Sequence, residues 1–251
     1  NDRQNIYNKH LNEAREEKEL FERIRREKVN SLNKADMDKY SYIIQIEKDV
    51  NRTFPKNPSF KGLESQKLTN VLMSFAKFNS SIGYAQGMNF IAANALLVID
   101  DEADCFVFLD AVIKKFSLDK LLAVNNSGIG KVLAEVDGLV KQYVPKLVKY
   151  LDSNFLTQDF ITTQWLITLF SSSMEPKQLF KFWDVMLLFD WKFVVFFTIS
   201  ILLEFEKLIC GWDQLGLSQN VKTLLKTDLF SQSFLHIVIQ SFELMDNHYK
   251  K

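Results

Sequence analysis

Two short stretches carry side chains whose types and spacing suit chemistry. The first is Ile46-Glu-Lys-Asp49-Val-Asn-Arg52-Thr-Phe-Pro55. Asp49 and Arg52 stand at i, i+3 and share a helix face. Pro55 forces the helix to end near Arg52, so the guanidinium projects from a rim. The second is Ser81-Ile-Gly83-Tyr84-Ala-Gln86-Gly87-Met88-Asn89. Here Gln86 lies between two of only 8 glycines, where a loop passes into an apolar helix. Glycine at such points admits unusual φ values and lets backbone come close to a partner. A rim arginine can neutralise charge developing on a transferring phosphoryl group. A carboxamide donates and accepts at once, so it can align an attacking water.

The elements that must position these groups are helical. The 251 residues hold 8 glycines and 4 prolines, against about 30 of the two together at average usage. All-β architectures need more of both, so an all-α fold is expected. With 47% hydrophobic and 13% aromatic residues, 22 of them phenylalanine, the chain can bury a large core and is not disordered. Apolar periodicity predicts helices over 42–51 and 63–78, from near Gln86 through Leu96, and from Asp101-Glu102 onward, the last burying Phe106, Val107, Leu109 and Ile113. Asn125 to Gly128 reads as a loop, followed by helices over about 131–143, 146–152, 158–171, 177–188, 193–209 and 229–247, with Asp228 as N-cap of the last. Residues 11–30 form an exposed, charge-alternating helix with Glu19/Arg23 and Glu22/Arg26 at i, i+4, to which only Leu20, Phe21 and Ile24 offer apolar contact. No linker or 34–47-residue repeat divides the chain. A single large multi-helix domain made of two closely packed halves is the expectation.

Charge and motifs exclude many functions. Thirty-one basic and 31 acidic side chains cancel, so no global field gathers nucleic acid. Cys105 and Cys210 read as buried free thiols of a reducing compartment. They share no metal-ligand spacing with His10, His236 or His248, so no metal site is expected. Residues 1–40 hold 19 charged side chains and no apolar run, unlike a signal peptide. The most membrane-like stretch, 185–203, is interrupted by Asp190 and Lys192, each costing about 2.5–3.5 kcal/mol near a bilayer centre. No transmembrane segment is expected. Gly128-Ile-Gly-Lys131 lacks the first glycine and the hydroxyl residue of a phosphate loop, having Asn125 and Val132 there. HExxH, GxSxG and kinase signatures are absent.

The two chemical stretches, in their order and spacing, resemble the paired signature of the TBC domain, the family of GTPase-activating proteins for Rab-type small GTPases. The likeness runs from Ile46-x-x-Asp49-x-x-Arg52-Thr-Phe-Pro55 to Gly83-Tyr84-Ala-Gln86-Gly87-Met88-Asn89. It continues in Gln164-Trp165-Leu-Ile-Thr168-Leu169-Phe170 and Phe182-Trp183-Asp184. The resemblance implies catalysis in trans. Arg52 enters a GTPase's nucleotide site as an arginine finger, and Gln86 orients the attacking water. Asp49 orients Arg52, while Gly83, Tyr84, Gly87 and Asn89 shape the loop that presents Gln86. Trp165, Trp183 and Asp184 are expected to serve packing. The chain then needs no cofactor of its own, since GTP and Mg²⁺ belong to the Rab partner. It would be cytoplasmic, with any peripheral attachment to vesicle or organelle membranes made through that partner.

The family's upstream Gly-x-Pro and Trp segment is missing. Residues 1–40 are therefore read as a charged helical segment belonging to a truncated or diverged domain start, and 41–251 as the TBC-like domain. Leu188-Phe-Asp190-Trp191-Lys192 also departs from the family's acidic-Gly turn, which bears on C-terminal packing and partner choice. A second reading is a catalytically silent helical module that binds a GTPase or adaptor. The presence of both fingers argues against it.

Overall fold

The computed structural model describes residues 2–27, 38–55, 60, 62–121 and 127–250. Among these the regular structure comprises fourteen α-helices and one 3-10 turn, with no strand. The fold is all-α, and the chain divides into two compact units, Asn1–Asp119 and Lys120–Lys251.

In the first unit, α3 (Leu63–Phe78) is the central element. It meets α1 (Asp2–Glu27), α2 (Ser41–Arg52), α4 (Met88–Leu96) and α5 (Glu102–Lys115). Its middle, from Leu68 to Ala76, is buried at nearly every position, as a helix surrounded by others must be. The charged α1 nonetheless has a core face. Tyr7, Leu11, Ala14 and Phe21 are buried at spacings of four, three and seven residues, a stripe running well N-terminal of the expected contacts. The expected Glu22–Arg26 pair is replaced by Glu22–Arg25 at 3.5 Å, while Arg26 donates to the Glu22 carbonyl. Polar pins set the register of α1. Tyr7 donates to Glu102, and Glu17 accepts from Lys77 at 2.7 Å and Tyr42 at 2.8 Å. In α5, Asp101 caps the helix through the Asp104 amide, as its type predicts. Val107 is 40% exposed rather than buried.

The short helix α6 (Leu118–Leu121) is followed in the second unit by α7 (Ser127–Tyr143), which begins earlier than its periodicity suggested. Asn125 and Asn126 of the expected loop lie outside the described residues. Next come α8 (Pro145–Ser153), α9 (Asp159–Ile167), α10 (Pro176–Leu188), α11 (Trp191–Glu204), α12 (Glu206–Ile209), α13 (Gln214–Asn220) and α14 (Asp228–Tyr249). The membrane-like stretch is the core helix α11. Residues Phe193 to Leu202 are all buried, and α14, α7, α9 and α10 pack around it. Phe182 and Phe197 stand 4.6 Å apart between centroids, with Phe170 edge-on to both.

Several boundaries differ from expectation for local reasons. The helix expected over 158–171 stops at Ile167 because Leu169 and Phe170 adopt φ of 46° and 64°. The Trp183 indole donates to the Leu169 carbonyl at 3.1 Å, holding that turn. Trp165 and Trp183 are core residues as expected, but Asp184 is exposed. A break at Phe205 separates α11 from α12. Thr227, not Asp228, caps α14 by accepting from the Phe230 amide. Cys105 is buried and burial pushes its thiol up to about 12, whereas Cys210 is only half-buried.

The Glu17 pin has a testable pH dependence. Burial opposes its charge, but the hydrogen bonds from Lys77 and Tyr42 outweigh burial and hold its carboxyl below the ordinary value. A depressed folded-state pKa contributes stability above the unfolded value, lost as pH falls through the folded one. Glu17→Gln is expected to lower the unfolding free energy at neutral pH by about 1–2 kcal/mol. In urea titrations that deficit should shrink with acidification; a deficit independent of pH contradicts the pin.

Candidate functional site

Helix α2 forms because Ile43, Ile46 and Val50 recur on one face and bury there. Asp49 falls on the same face and is only 1% exposed. The helix stops where Thr53 turns extended, at φ −79° and ψ 118°, followed by Phe54 at φ 47° and then Pro55. Arg52 is thus the last helical residue, and its side chain is 49% exposed. The rim position expected from Pro55 is what the structure has.

A buried carboxylate must be paired or hydrogen-bonded to stay charged. Among the described residues the Asp49 carboxylate has three donors. Arg52 Nε donates to Oδ1 at 2.7 Å, Gln45 Nε2 to the same oxygen at 3.1 Å, and the Tyr84 hydroxyl to Oδ2 at 2.6 Å. Because Arg52 is held through Nε, its two terminal nitrogens carry no hydrogen bond among the described residues. Held at its base and free at its tip, the guanidinium can present a planar fork to an anion. Burial, and after it the hydrogen bond to Asp49, push the Tyr84 phenol well above its ordinary value, so it remains a donor.

The second stretch leaves α3 in a tight turn, with the Gly83 amide donating to the Asn79 carbonyl at 2.7 Å. Gly83 has φ +63°, and no heavy atom lies within 4 Å of where a Cβ would be. Its need for glycine is one of backbone conformation alone. Gly87, at φ 111°, is the residue before α4, which begins at Met88 rather than at Gln86. Gln86 therefore sits in the loop itself. Its side chain is exposed and makes no hydrogen bond among the described residues. Beyond it, Asn89 is fully buried. Its Oδ1 accepts from the Gly87 amide at 3.1 Å, and its Nδ2 donates to Thr53 Oγ1 at 2.8 Å.

The Thr53 hydroxyl donates to the Asp49 carbonyl at 2.6 Å and the Tyr84 hydroxyl also lies 3.3 Å from Asn89 Oδ1, so Asp49, Arg52, Tyr84, Gly87 and Asn89 are joined in one network, with Gln86 carried between Tyr84 and Gly87. Gly83 enters as the turn that starts the loop. Sequence reasoning missed Gln45 and Thr53. Gln45 stands one helical turn before Asp49, a spacing that could have found it. Thr53 stands one turn after Asp49, so its hydroxyl's bond to the Asp49 carbonyl was within reach of the same reasoning, but its link to Asn89, 36 residues away, had no local signal. Among the described residues no group of His, Cys, Asp and Glu could hold a metal ion. No helix there is long and apolar enough to cross a membrane.

The model of the Rab-GTPase-TBC domain family matches residues 2–210. The chain belongs to the RabGAP-TBC family. It is 31% identical over 215 residues to TBC1 domain family member 2A of Bos taurus, covering 82% of this chain and 23% of that protein. It is 33% identical over 144 residues to human small G protein signaling modulator 3, covering 56% of this chain and 19% of that one. The chain therefore spans about a quarter or less of the length of these relatives. The Ypt/Rab-GAP domain of Gyp1p superposes with a TM-score of 0.71 at 16% identity, over 95% of this chain and 81% of its own. The Chlamydomonas flagellar RabGAP TBC domain gives 0.68 at 18% identity, over 86% and 74%. At such identities these two share the fold. The family match takes in α1, with its core stripe, along with both site stretches.

The loop of this TBC chain can be tested at Gly83. Gly83→Ala is expected to destabilise by about 1 kcal/mol through backbone strain. Gly83→Asn should cost less, since asparagine tolerates the left-handed region. Equal losses in urea unfolding would show that space, not φ, dictates glycine.

Proposed function

We propose that the chain is a GTPase-activating module for a Rab-type small GTPase and that it completes the partner's catalytic site with Arg52 and Gln86. One observation carries the reading. Two exposed polar side chains, both suited to phosphoryl transfer, are presented from a single buried network. Family membership supports the choice of a Rab as partner.

In this mechanism the GTP and Mg²⁺ are the partner's, and the TBC chain contributes side chains in trans. Water attacks the γ-phosphorus as the bond to the β–γ bridging oxygen breaks, and negative charge moves toward the leaving diphosphate. Arg52 offers its terminal nitrogens to those oxygens, stabilising the charge as it develops. Asp49, bonded to Nε, limits the rotamers the guanidinium must give up on docking and leaves the outer fork for phosphate. The Gln86 carboxamide accepts from the attacking water through its oxygen and donates through its nitrogen, fixing the water's line of approach. Tyr84 and Gly87 hold the peptide on either side of it. Any approach to a membrane is made through the partner in this reading.

An arginine finger contributes about 10³–10⁵ in rate. Single-turnover GTP hydrolysis by a panel of Rab GTPases, with and without the TBC chain, tests the proposal. Arg52→Ala should abolish most of the acceleration. Arg52→Lys should fail nearly as badly, because an ammonium lacks the planar fork. Gln86→Ala should also fall steeply. No acceleration of any panel member by the wild type, or full activity in Arg52→Ala, would refute it.

A further inference from the structure

We propose that Thr53 is a positioning residue that fastens the glutamine loop to the arginine-bearing end of α2, an inference resting on the roles given above to Arg52 and Gln86. Thr53 is 3% exposed and Asn89 fully buried. A chain of hydrogen bonds runs through them in one direction. The Gly87 N–H donates to Asn89 Oδ1 at 3.1 Å, Asn89 Nδ2 donates to Thr53 Oγ1 at 2.8 Å, and the Thr53 hydroxyl donates to the Asp49 carbonyl at 2.6 Å. Gly87 N–H belongs to the peptide that follows Gln86. Asp49 is the residue that holds Arg52. The chain therefore leads from the backbone of one finger to the residue that orients the other.

A threonine hydroxyl bonded to the carbonyl four residues back is common at helix ends and by itself would be local satisfaction. Two features take it further. The Thr53 amide bonds to Val50, so the hydroxyl becomes the donor that supplies the Asp49 carbonyl. The same hydroxyl then has its lone pair free for Asn89, which is on another helix. Asn89 cannot flip without pointing its amide nitrogen at a donor, so both ends of the chain fix its orientation. In a buried setting such serial bonds polarise one another and stiffen the link.

The loop has a second tether in the Tyr84 hydroxyl, which donates to the Asp49 carboxylate at 2.6 Å and makes a longer contact of 3.3 Å with Asn89 Oδ1. Gln86 lies between the two. Removing the Thr53 link leaves the loop held at its Tyr84 side and loosened at its Gly87 side. The expected consequence is misplacement of Gln86 in a folded chain, which impairs the chemical step more than docking.

Thr53→Val removes the hydroxyl at nearly constant shape, Thr53→Ser keeps it, and Thr53→Ala replaces the valine variant if that one does not fold. With the Rab that responds best to wild type, Thr53→Val should lower kcat by about 10–100-fold with KM changed by no more than about twofold. Thr53→Ser should recover most of the rate. On a Gln86→Ala background, Thr53→Val should add little. Independently of any GTPase, amide hydrogen exchange over 84–89 should quicken in Thr53→Val, while the core of α3 stays protected. Unchanged exchange there, a serine variant as impaired as valine, or a valine loss carried undiminished onto Gln86→Ala would each overturn the proposal. If the wild type activates no GTPase, the activating reading fails, and the exchange measurement still decides the tether.

Discussion

The structure of the site depends on one constraint, the need to satisfy the carboxylate of Asp49 in the core face of α2. An ion so placed is stable only if donors converge on it. Those donors come from its own helix and from the loop 35 residues later. Meeting the constraint draws the Tyr84 loop onto the end of α2 and orients Arg52. The arrangement of both proposed fingers follows from satisfying one buried charge.

The rest of the first unit supplies rigidity to that arrangement. Helix α3 is enclosed on several sides, with α2 and α4 packed on it, so the two elements that carry the site share one support. Polar pins from α1 reach Glu102, Lys77 and Tyr42 and tie that helix to α5, α3 and α2. Rigid elements with a short, glycine-bounded loop between them suit the proposed role, in which groups enter another protein's nucleotide site already oriented. Arg52 and Gln86 remain exposed because the network binds the first by Nε and the second by its neighbours' backbone and side chains.

What could be read in the sequence was what is local. Asp49 and Arg52 were legible as an i, i+3 pair, and Pro55 placed the arginine at a helix end. Gly83 and Gly87 marked a loop around Gln86 in a chain short of glycine. The all-α class followed from the scarcity of turn residues. Less legible was anything decided by distant partners. Thr53 gains its importance from Asn89, and the buried stripe of α1 begins at Tyr7, hidden among charges by the low density of apolar residues. The turn at Leu169 and Phe170 is set by the Trp183 indole and by ring packing, which overrides a helical pattern. Asp228 looked like a cap, but the threonine before it reaches the amide.

The claim that these side chains act on a transition state is tested most directly by nucleotide-dependent binding. The affinity of the TBC chain for its best responding Rab should be measured with the GTPase in its GDP, GTP and GDP–aluminium fluoride forms. Tightest binding to the aluminium fluoride form, lost in Arg52→Ala and weakened in Gln86→Ala, is the predicted result. Equal binding to all three forms, unaffected by either substitution, would contradict it and leave a helical binding module without catalysis.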